Sequence, residues 1–335
     1  MDITVVIPVY KAESFLRNAV ASAFMQPEVS EVILVEDGSP DESLRICRAL
    51  AMEDGRVRLL QHPDGVNKGA GASRNLGISK ATKPYIAFLD ADDRFLPDRF
   101  ASERTIFPSV PDADGVYNAI GTNFLDSSGR EAFERTFGYA LTTVKKSVEP
   151  EKLFDGLTGG INDFGHFSLD GVTLKREALN KITPWFNPDL RLHQDTEFLI
   201  RSAHHCRLYP GQLIEPVAER GVHEGNRITN NEARSWTRYL LYASLYRWAR
   251  QEGIAGRALE HFLYRSSLFR LKGADTFVQR ITACSAILVH PHLFAKQPLR
   301  EAFLGCLFGH ESWTTRKLSG LVWRVFGQTE VKKVQ

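Results

Sequence analysis

Cysteine is scarce in this chain. Cys47, Cys206, Cys284 and Cys306 lie far apart and show no metal-ligand spacing. That argues against a disulfide framework and against a cysteine-held metal, and it fits buried thiols in a reducing compartment. Long apolar runs are missing as well. The longest stretch, residues 281–295, is interrupted by His290, Pro291 and His292 and falls short of a membrane span. No basic leader with an apolar core precedes the first strand pattern, so the expectation is a cytoplasmic chain. The first strand is also not followed by glycine. Its connection reads Val9-Tyr-Lys-Ala-Glu13, which disfavours a nicotinamide-type dinucleotide fold.

Overall charge is nearly balanced at +2, but it is unevenly distributed. From Asn226 onward there are 17 Lys/Arg against 7 Asp/Glu, a net of +10, so the preceding residues carry −8. The imbalance suggests either solvated helix faces or a basic surface for an anionic partner, lipid headgroups or nucleic acid. Apolar and charged fractions are those of a globular protein, and the length suggests about two domains.

What is present is a repeated strand–helix pattern. Ile3 to Val9 is β-branched and hardly alternates, as in a strand covered on both faces, with Pro8 at its end. Leu16, Val20, Ala23 and Phe24 follow at helical spacing. Glu31 to Val35 reads as a second strand. A helix with Leu44, Cys47 and Leu50 inward follows, with Asp41 placed to cap it. Val57 to Leu60 gives a third strand, and a glycine-rich segment leads to a short helix starting near Ala72. Tyr85 to Leu89 gives a fourth, running directly into Asp90-Ala-Asp-Asp93. The pattern predicts an α/β fold with a mostly parallel, doubly wound sheet.

Strands deliver residues to the carboxyl edge of such a sheet, where ligands bind. Three carboxylates packed at Asp90, Asp92 and Asp93 need a cation between them, and a hard divalent ion sharing a phosphate ligand fits. A solvated acidic turn would show the same letters. In Asn67-Lys-Gly-Ala-Gly-Ala-Ser-Arg-Asn75, glycines allow close approach of a ligand to backbone amides, and Lys68 and Arg74 offer charge-assisted bonds to a diphosphate.

Ile7-Pro-Val-Tyr10, Val35-Glu-Asp-Gly-Ser39, the segment 67–75 and Phe88-Leu-Asp-Ala-Asp-Asp93, in that order and spacing, resemble the nucleotide-sugar half of the inverting family 2 glycosyltransferases, which have the GT-A fold. The resemblance implies that Pro8 and Tyr10 line the base pocket and that Asp37 accepts a hydrogen bond from the base. It implies that Asp90 contacts the ribose, with Ala91 in the same pocket, and that Asp92 holds a manganese or magnesium ion on the donor diphosphate. Asp93 is a further candidate for that ion. Glu36 stands where the family often has Asp.

Further along, 115–124 reads as one strand and Ser127-Ser-Gly129 as a turn at a hairpin edge. Val172 to Leu174 reads as a strand. Phe198 and Leu199 place Asp195 in the first turn of an amphipathic helix, where an acid commonly compensates the helix dipole. By resemblance this is the acceptor-activating segment and Asp195 the general base, with Gln194 where the first acid of the family's pair would stand. His223, at the close of a strand, matches the family's metal- or diphosphate-contacting histidine, and Arg227 is placed to neutralise the leaving diphosphate. The resemblance ends near residue 228.

The expected organisation is therefore a donor half (1–110), an acceptor half (111–228) and a helical region (229–335). In the last, helix faces are marked by Trp236 to Tyr246, Leu259 to Phe269 and Leu318 to Phe326. The implied partners are a nucleotide-sugar, UDP-linked by resemblance, and a saccharide or lipid-linked acceptor, with no nucleic acid. The aromatic-rich helices suggest a dimer face, and their basic amphipathic surface suggests peripheral contact with an anionic membrane. A polyprenyl-phosphate sugar synthase would share the donor half without needing Asp195. A sugar-1-phosphate nucleotidyltransferase would carry a basic glycine-rich loop after the first strand, which is missing. A non-catalytic nucleotide-sugar binder would have no use for a base.

Overall fold

A computed structural model describes residues 1–137, 144–223 and 234–308. The chain forms two compact units, Met1–Asn230 and Asn231–Gln335.

In the first unit, β1 (Ile3–Val9), α1 (Leu16–Phe24), β2 (Val29–Glu36), α2 (Ser43–Glu53), β3 (Val57–Gln61), α3 (Ala70–Lys80) and β4 (Tyr85–Phe88) follow the expected alternation. Then come β5 (Arg94–Phe95), α4 (Ala101–Ser109), β6 (Gly115–Tyr117), β7 (Ile120–Phe124), α5 (Ser127–Phe137) and α6 (Pro150–Leu157). The unit ends with β8 (Val172–Lys175), α7 (Gln194–His205), β9 (Leu208–Pro210) and β10 (Ala218–Val222). Seven strands make one sheet in the order β3-β2-β1-β4-β8-β6-β9, and β5-β10-β7 make a second, smaller one. Only β8 runs against its neighbours in the large sheet. The order turns back at β1, between β2 and β4, which opens a crevice at the carboxyl ends of those strands.

Burial on both faces explains why β1, β2 and β4 read as apolar runs. Val6, Ile33, Val35, Ile86 and Phe88 pack on one side, and Ile3, Val5, Ile7, Val32 and Leu34 on the other. Asp41 stands one residue before the cap position, which is Glu42, and ties the start of α2 to the first connection, its Oδ1 accepting from Ser43 N–H at 3.2 Å while Oδ2 accepts from Glu13 N–H at 3.3 Å. A fully buried ion pair, Arg99 with Glu103 at 2.7 Å, supports the centre of the unit. It survives burial because Arg99 Nε also donates to Asp170 O and Thr173 Oγ1 to Glu103.

Two expectations are corrected. The single strand 115–124 is two strands in different sheets, broken at Asn118-Ala119. Buried Asn118 causes the break, donating from Nδ2 to Glu103 and Gly171 and accepting from Gln212 N–H, which turns the chain out of the large sheet. Ser127-Ser-Gly129 is not a hairpin turn but the first turn of α5, whose Gly129 N–H is accepted by the Asp126 side chain.

In the second unit, α8 (Arg234–Gln251), α9 (Arg257–Lys272), α10 (Phe277–Leu288) and α11 (Gln297–Phe308) follow in order. α10 opens with a capping box between Thr276 and Gln279. The expected helix around Leu318 to Phe326 lies outside the described residues. All four cysteines are buried and unpaired. No helix among the described residues is long and apolar enough to cross a membrane.

Candidate functional site

The site is built at the carboxyl ends of β1, β2 and β4. Asp37, just past β2, is 2% exposed. Its Oδ1 accepts from Lys68 N–H at 2.7 Å and its Oδ2 from Gly69 N–H at 2.8 Å, while its carbonyl accepts from Asn67 Nδ2 at 3.1 Å. Asp37 thus anchors the glycine-rich segment, and a base N–H would have to share an oxygen that already accepts one. Gly38 makes the approach possible. It sits at φ +67°, and a Cβ there would lie 2.7 Å from Gly65 O. Pro8 and Tyr10 stay half-buried at the end of β1, and Ala91 is buried. The Lys68 side chain pairs with Asp64 at 3.0 Å on the surface.

Arg74, on α3, is 3% exposed and forms an ion pair with Asp90. Burial opposes its charge, and Asp90, Asp195 and Asp170 outweigh that, raising its pKa above the ordinary guanidinium value. In the amide orientation that satisfies both its ends, Gln194 accepts from Arg74 Nη1 at 3.2 Å and donates to Arg191 O at 3.3 Å. Asp195 is half-buried in the first turn of α7, as its spacing predicts. His193 precedes it as the cap residue, at φ +62°. α7 is held from below. Phe198 stacks on Phe186 with centroids 4.3 Å apart, and Arg201 pairs with Glu197 at 2.8 Å and donates to the carbonyls of Pro184 and Trp185.

Around the acidic turn, Asp92 and His223 come together, with Oδ2 and Nε2 at 3.4 Å. His223 closes β10 and stacks on Phe15 with centroids 4.7 Å apart. The hydrogen bond to Asp92 holds the His223 pKa above the usual imidazole value against the effect of burial. A carboxylate oxygen and an imidazole nitrogen, both half-buried, form a donor set suited to manganese or magnesium beside a phosphate. Asp93 turns the other way, buried, with Oδ1 accepting from Gly221 N–H at 2.9 Å. Arg227 lies outside the described residues.

Two residues join the site without having been singled out by the sequence. Asp170 precedes β8 and brings a carboxylate oxygen within 4.8 Å of those of Asp90 and Asp93. Its Oδ1 accepts from Asp90 N–H at 3.1 Å. Burial, with the charge of Asp90, pushes its pKa up to about 6. Burial raises Asp93 as well, reinforced by Asp170, Asp92 and Asp90. Arg220, on β10, donates from Nη2 to Ser168 Oγ at 3.1 Å. Burial lowers its pKa, but Asp93, Asp170, Asp90 and Asp195 raise it by more. Only the antiparallel placement of β8 beside β4, and of β10 beside β5, brings these groups together. No local motif marks either residue.

An uncharacterized glycosyltransferase of Haemophilus influenzae is 38% identical to this chain over 201 residues, which are 59% of this chain and 70% of that protein. The chain belongs to glycosyltransferase family 2. The model of that family, described as Glycosyl transferase family 2, matches residues 4–106 of this glycosyltransferase, the stretch that carries Tyr10, Asp37, Arg74 and Asp90 to Asp93. Other curated relatives align over about 100 residues, and the chain spans 28–30% of their length. Among solved structures, S. aureus TarS 1–349 in complex with UDP-GlcNAc is similar with a TM-score of 0.59 at 15% identity, covering 99% of this chain and 92% of that one. The mannosyltransferase PcManGT from Pyrobaculum calidifontis, in complex with GDP-Man and Mn2+, is similar with a TM-score of 0.53 at 15% identity, covering 97% and 87%. These likenesses establish for the glycosyltransferase a GT-A-type fold.

Proposed function

We propose that this glycosyltransferase moves a sugar from a nucleotide-sugar, a UDP-sugar foremost, to a hydroxyl of a saccharide or lipid-linked saccharide, with inversion at the anomeric carbon. The observation that carries the reading is buried Arg74, which joins Asp90 at the end of β4 to Gln194 in the first turn of α7, beside Asp195. One guanidinium thereby ties the donor edge of the sheet to the group that would take the acceptor's proton. Asp195 accepts that proton as the hydroxyl oxygen attacks the anomeric carbon from the face opposite the leaving diphosphate. Asp92 and His223 would hold a divalent ion, which when bound neutralises charge on the departing diphosphate. The glycine-rich segment is held by Asp37 through the amides of Lys68 and Gly69, and the N-terminus of α3 that follows it would offer its own amides to the diphosphate.

The test is release of nucleoside diphosphate from a panel of UDP-, GDP- and dTDP-sugars, with and without manganese, in the wild type and Asp92→Ala. Metal-dependent turnover of one donor, lost in the variant, is the expected result. Failure of every donor to bind sinks the reading. A polyprenyl-phosphate sugar synthase attacks with an ionised phosphate, so its rate would survive Asp195→Asn.

A second reading concerns location. On α10, Phe277, Val278, Ile281 and Leu288 are exposed, as is Val289 just beyond it, and no acidic residue lies between Asp275 and Glu301. That apolar, acid-free face on a basic unit favours peripheral contact with an anionic lipid surface. Vesicles containing anionic lipid should float the wild type and fail to float Phe277→Glu.

A further inference from the structure

We propose that Asp93 and Gly221 form a clamp that fixes His223 against Asp92, so that Asp93 is a positioning residue and not a ligand of the ion. This rests on the reading that Asp92 and His223 hold a divalent cation.

The turn after β4 is closed by Asp93 N–H donating to Asp90 O at 3.0 Å. Adjacent side chains of this turn part company. Asp92 faces His223, while Asp93, 4% exposed, points inward. There its Oδ1 accepts the Gly221 N–H at 2.9 Å, joining residues 128 apart in sequence. Gly221 cannot be any other residue without moving the strand, since a Cβ would lie 2.1 Å from Asp92 O. The backbone of β10 therefore rests directly on the Asp92 carbonyl.

Neighbouring contacts set the register of this junction. β5 begins at Arg94, immediately after Asp93, and pairs antiparallel with β10 through Glu219 opposite Arg94 and Ala218 opposite Phe95. Arg94 and Glu219 also form an ion pair at 2.5 Å. Arg220 brings positive charge to Asp93 and Asp170 and donates to Ser168. From this anchored point only Val222 intervenes before His223, and Asp92 is the residue next to Asp93. The Asp93–Gly221 bond is thus the fixed point next to both candidate ligands. Asp93 Oδ1 is engaged by the Gly221 amide, while its buried Oδ2, without a hydrogen-bond partner among the described residues, belongs with the carboxylates gathered at Asp90 and Asp170. Arg74 and Arg220 already supply positive charge to the cluster of Asp90, Asp93 and Asp170.

The test compares Asp93→Asn, Asp93→Ala, Gly221→Ala and the ligand variant Asp92→Asn in the full chain. The first arm uses no metal and no nucleotide. It follows hydrogen exchange of the Gly221 amide, which should stay slow in wild type and Asp93→Asn and speed up about tenfold or more in Asp93→Ala. The second arm titrates UDP with manganese by calorimetry. Asp93→Asn keeps an acceptor for Gly221, so it should bind close to wild type. Asp93→Ala and Gly221→Ala should weaken manganese-dependent binding about tenfold or more. Gly221→Ala keeps every carboxylate but presses on the Asp92 carbonyl, so it reports displacement of the junction, and the comparison of Asp93→Ala with Asp93→Asn isolates the hydrogen bond.

An Asp93→Asn variant as weak as Asp92→Asn would make Asp93 a direct ligand and overturn the proposal. So would an Asp93→Ala variant with wild-type affinity, or a Gly221 amide indifferent to Asp93. A wild type that binds UDP without any response to manganese removes the metal reading, and the exchange arm still decides whether the clamp exists.

Discussion

Arg191 Nη1 donates to Asn67 Oδ1 at 3.0 Å, bridging 124 residues of sequence. Its guanidinium lies over Gly69, where a Cβ would stand 3.0 Å from Nη1. The segment before α7 is thereby latched to the glycine-rich segment that Asp37 anchors. Arg191→Ala should loosen that segment and raise KM for the donor about fivefold while kcat changes less than about twofold, the pattern of lost uniform binding. Initial rates over a range of donor concentrations read both quantities. A fall in kcat at unchanged KM would place Arg191 in the chemical step instead.

Asp195→Asn should lower kcat by about 10²- to 10⁴-fold, the usual worth of a positioned general base. UDP affinity, measured by calorimetry, should stay within about twofold, because the substitution leaves the donor edge of the sheet alone. Equal losses in both would mean that Asp195 supports nucleotide binding through Arg74.

Gly38→Ala asks for a side chain at φ +67° with Gly65 O at 2.7 Å and Asn67 N at 2.9 Å. The expected loss is about 1–3 kcal/mol of stability, from overpacking and left-handed strain together. Urea unfolding measures it. Donor binding should weaken too, since the segment must move off Asp37.

Stability of the C-terminal unit should decline on mild acidification. Burial, then the charges of Arg265 and Lys296, push the His261 pKa down from 6.5 to about 4. The unfolded chain takes up a proton at His261 below about 6.5, whereas the folded chain stays neutral until about 4. Acid thus favours unfolding across that window, and the contribution of the neutral ring is fully present above it. In His261→Gln the loss of stability between pH 6.5 and 4 should be shallower than in wild type, read from urea midpoints of the helical unit.

Much of the large sheet was legible because β1, β2, β3 and β4 are local apolar runs, the first three followed by helical spacing or glycine and the fourth by the acidic turn. Asp195 was legible in its place on α7 because Phe198 and Leu199 mark the inner face of that helix. The split between β6 and β7 was not, since it depends on Asn118 finding Glu103, Gly171 and Gln212 in three other segments. Asp170 and Arg220 were silent for the same reason. Their partners are set by sheet order, which no window of sequence contains. Asp37 stood out by its motif, yet its hold on the amides of Lys68 and Gly69 spans about thirty residues and shows only once the segment folds back.

In the finished fold β4 is a central strand, flanked by β1 and β8. During synthesis it begins as an edge. β8 ends at Lys175, 87 residues after Phe88, so at ~5–20 residues per second the second flank of β4 stays uncovered for about 4–17 s. Through that interval Tyr85-Ile-Ala-Phe88 presents unpaired backbone on an apolar strand, the kind of edge that recruits other chains. The brevity of β4, four residues, limits the danger, and the three aspartates that follow it add charge beside the exposed edge. The acidic turn at the heart of the site can thus guard the nascent chain against aggregation before it has any ligand to bind.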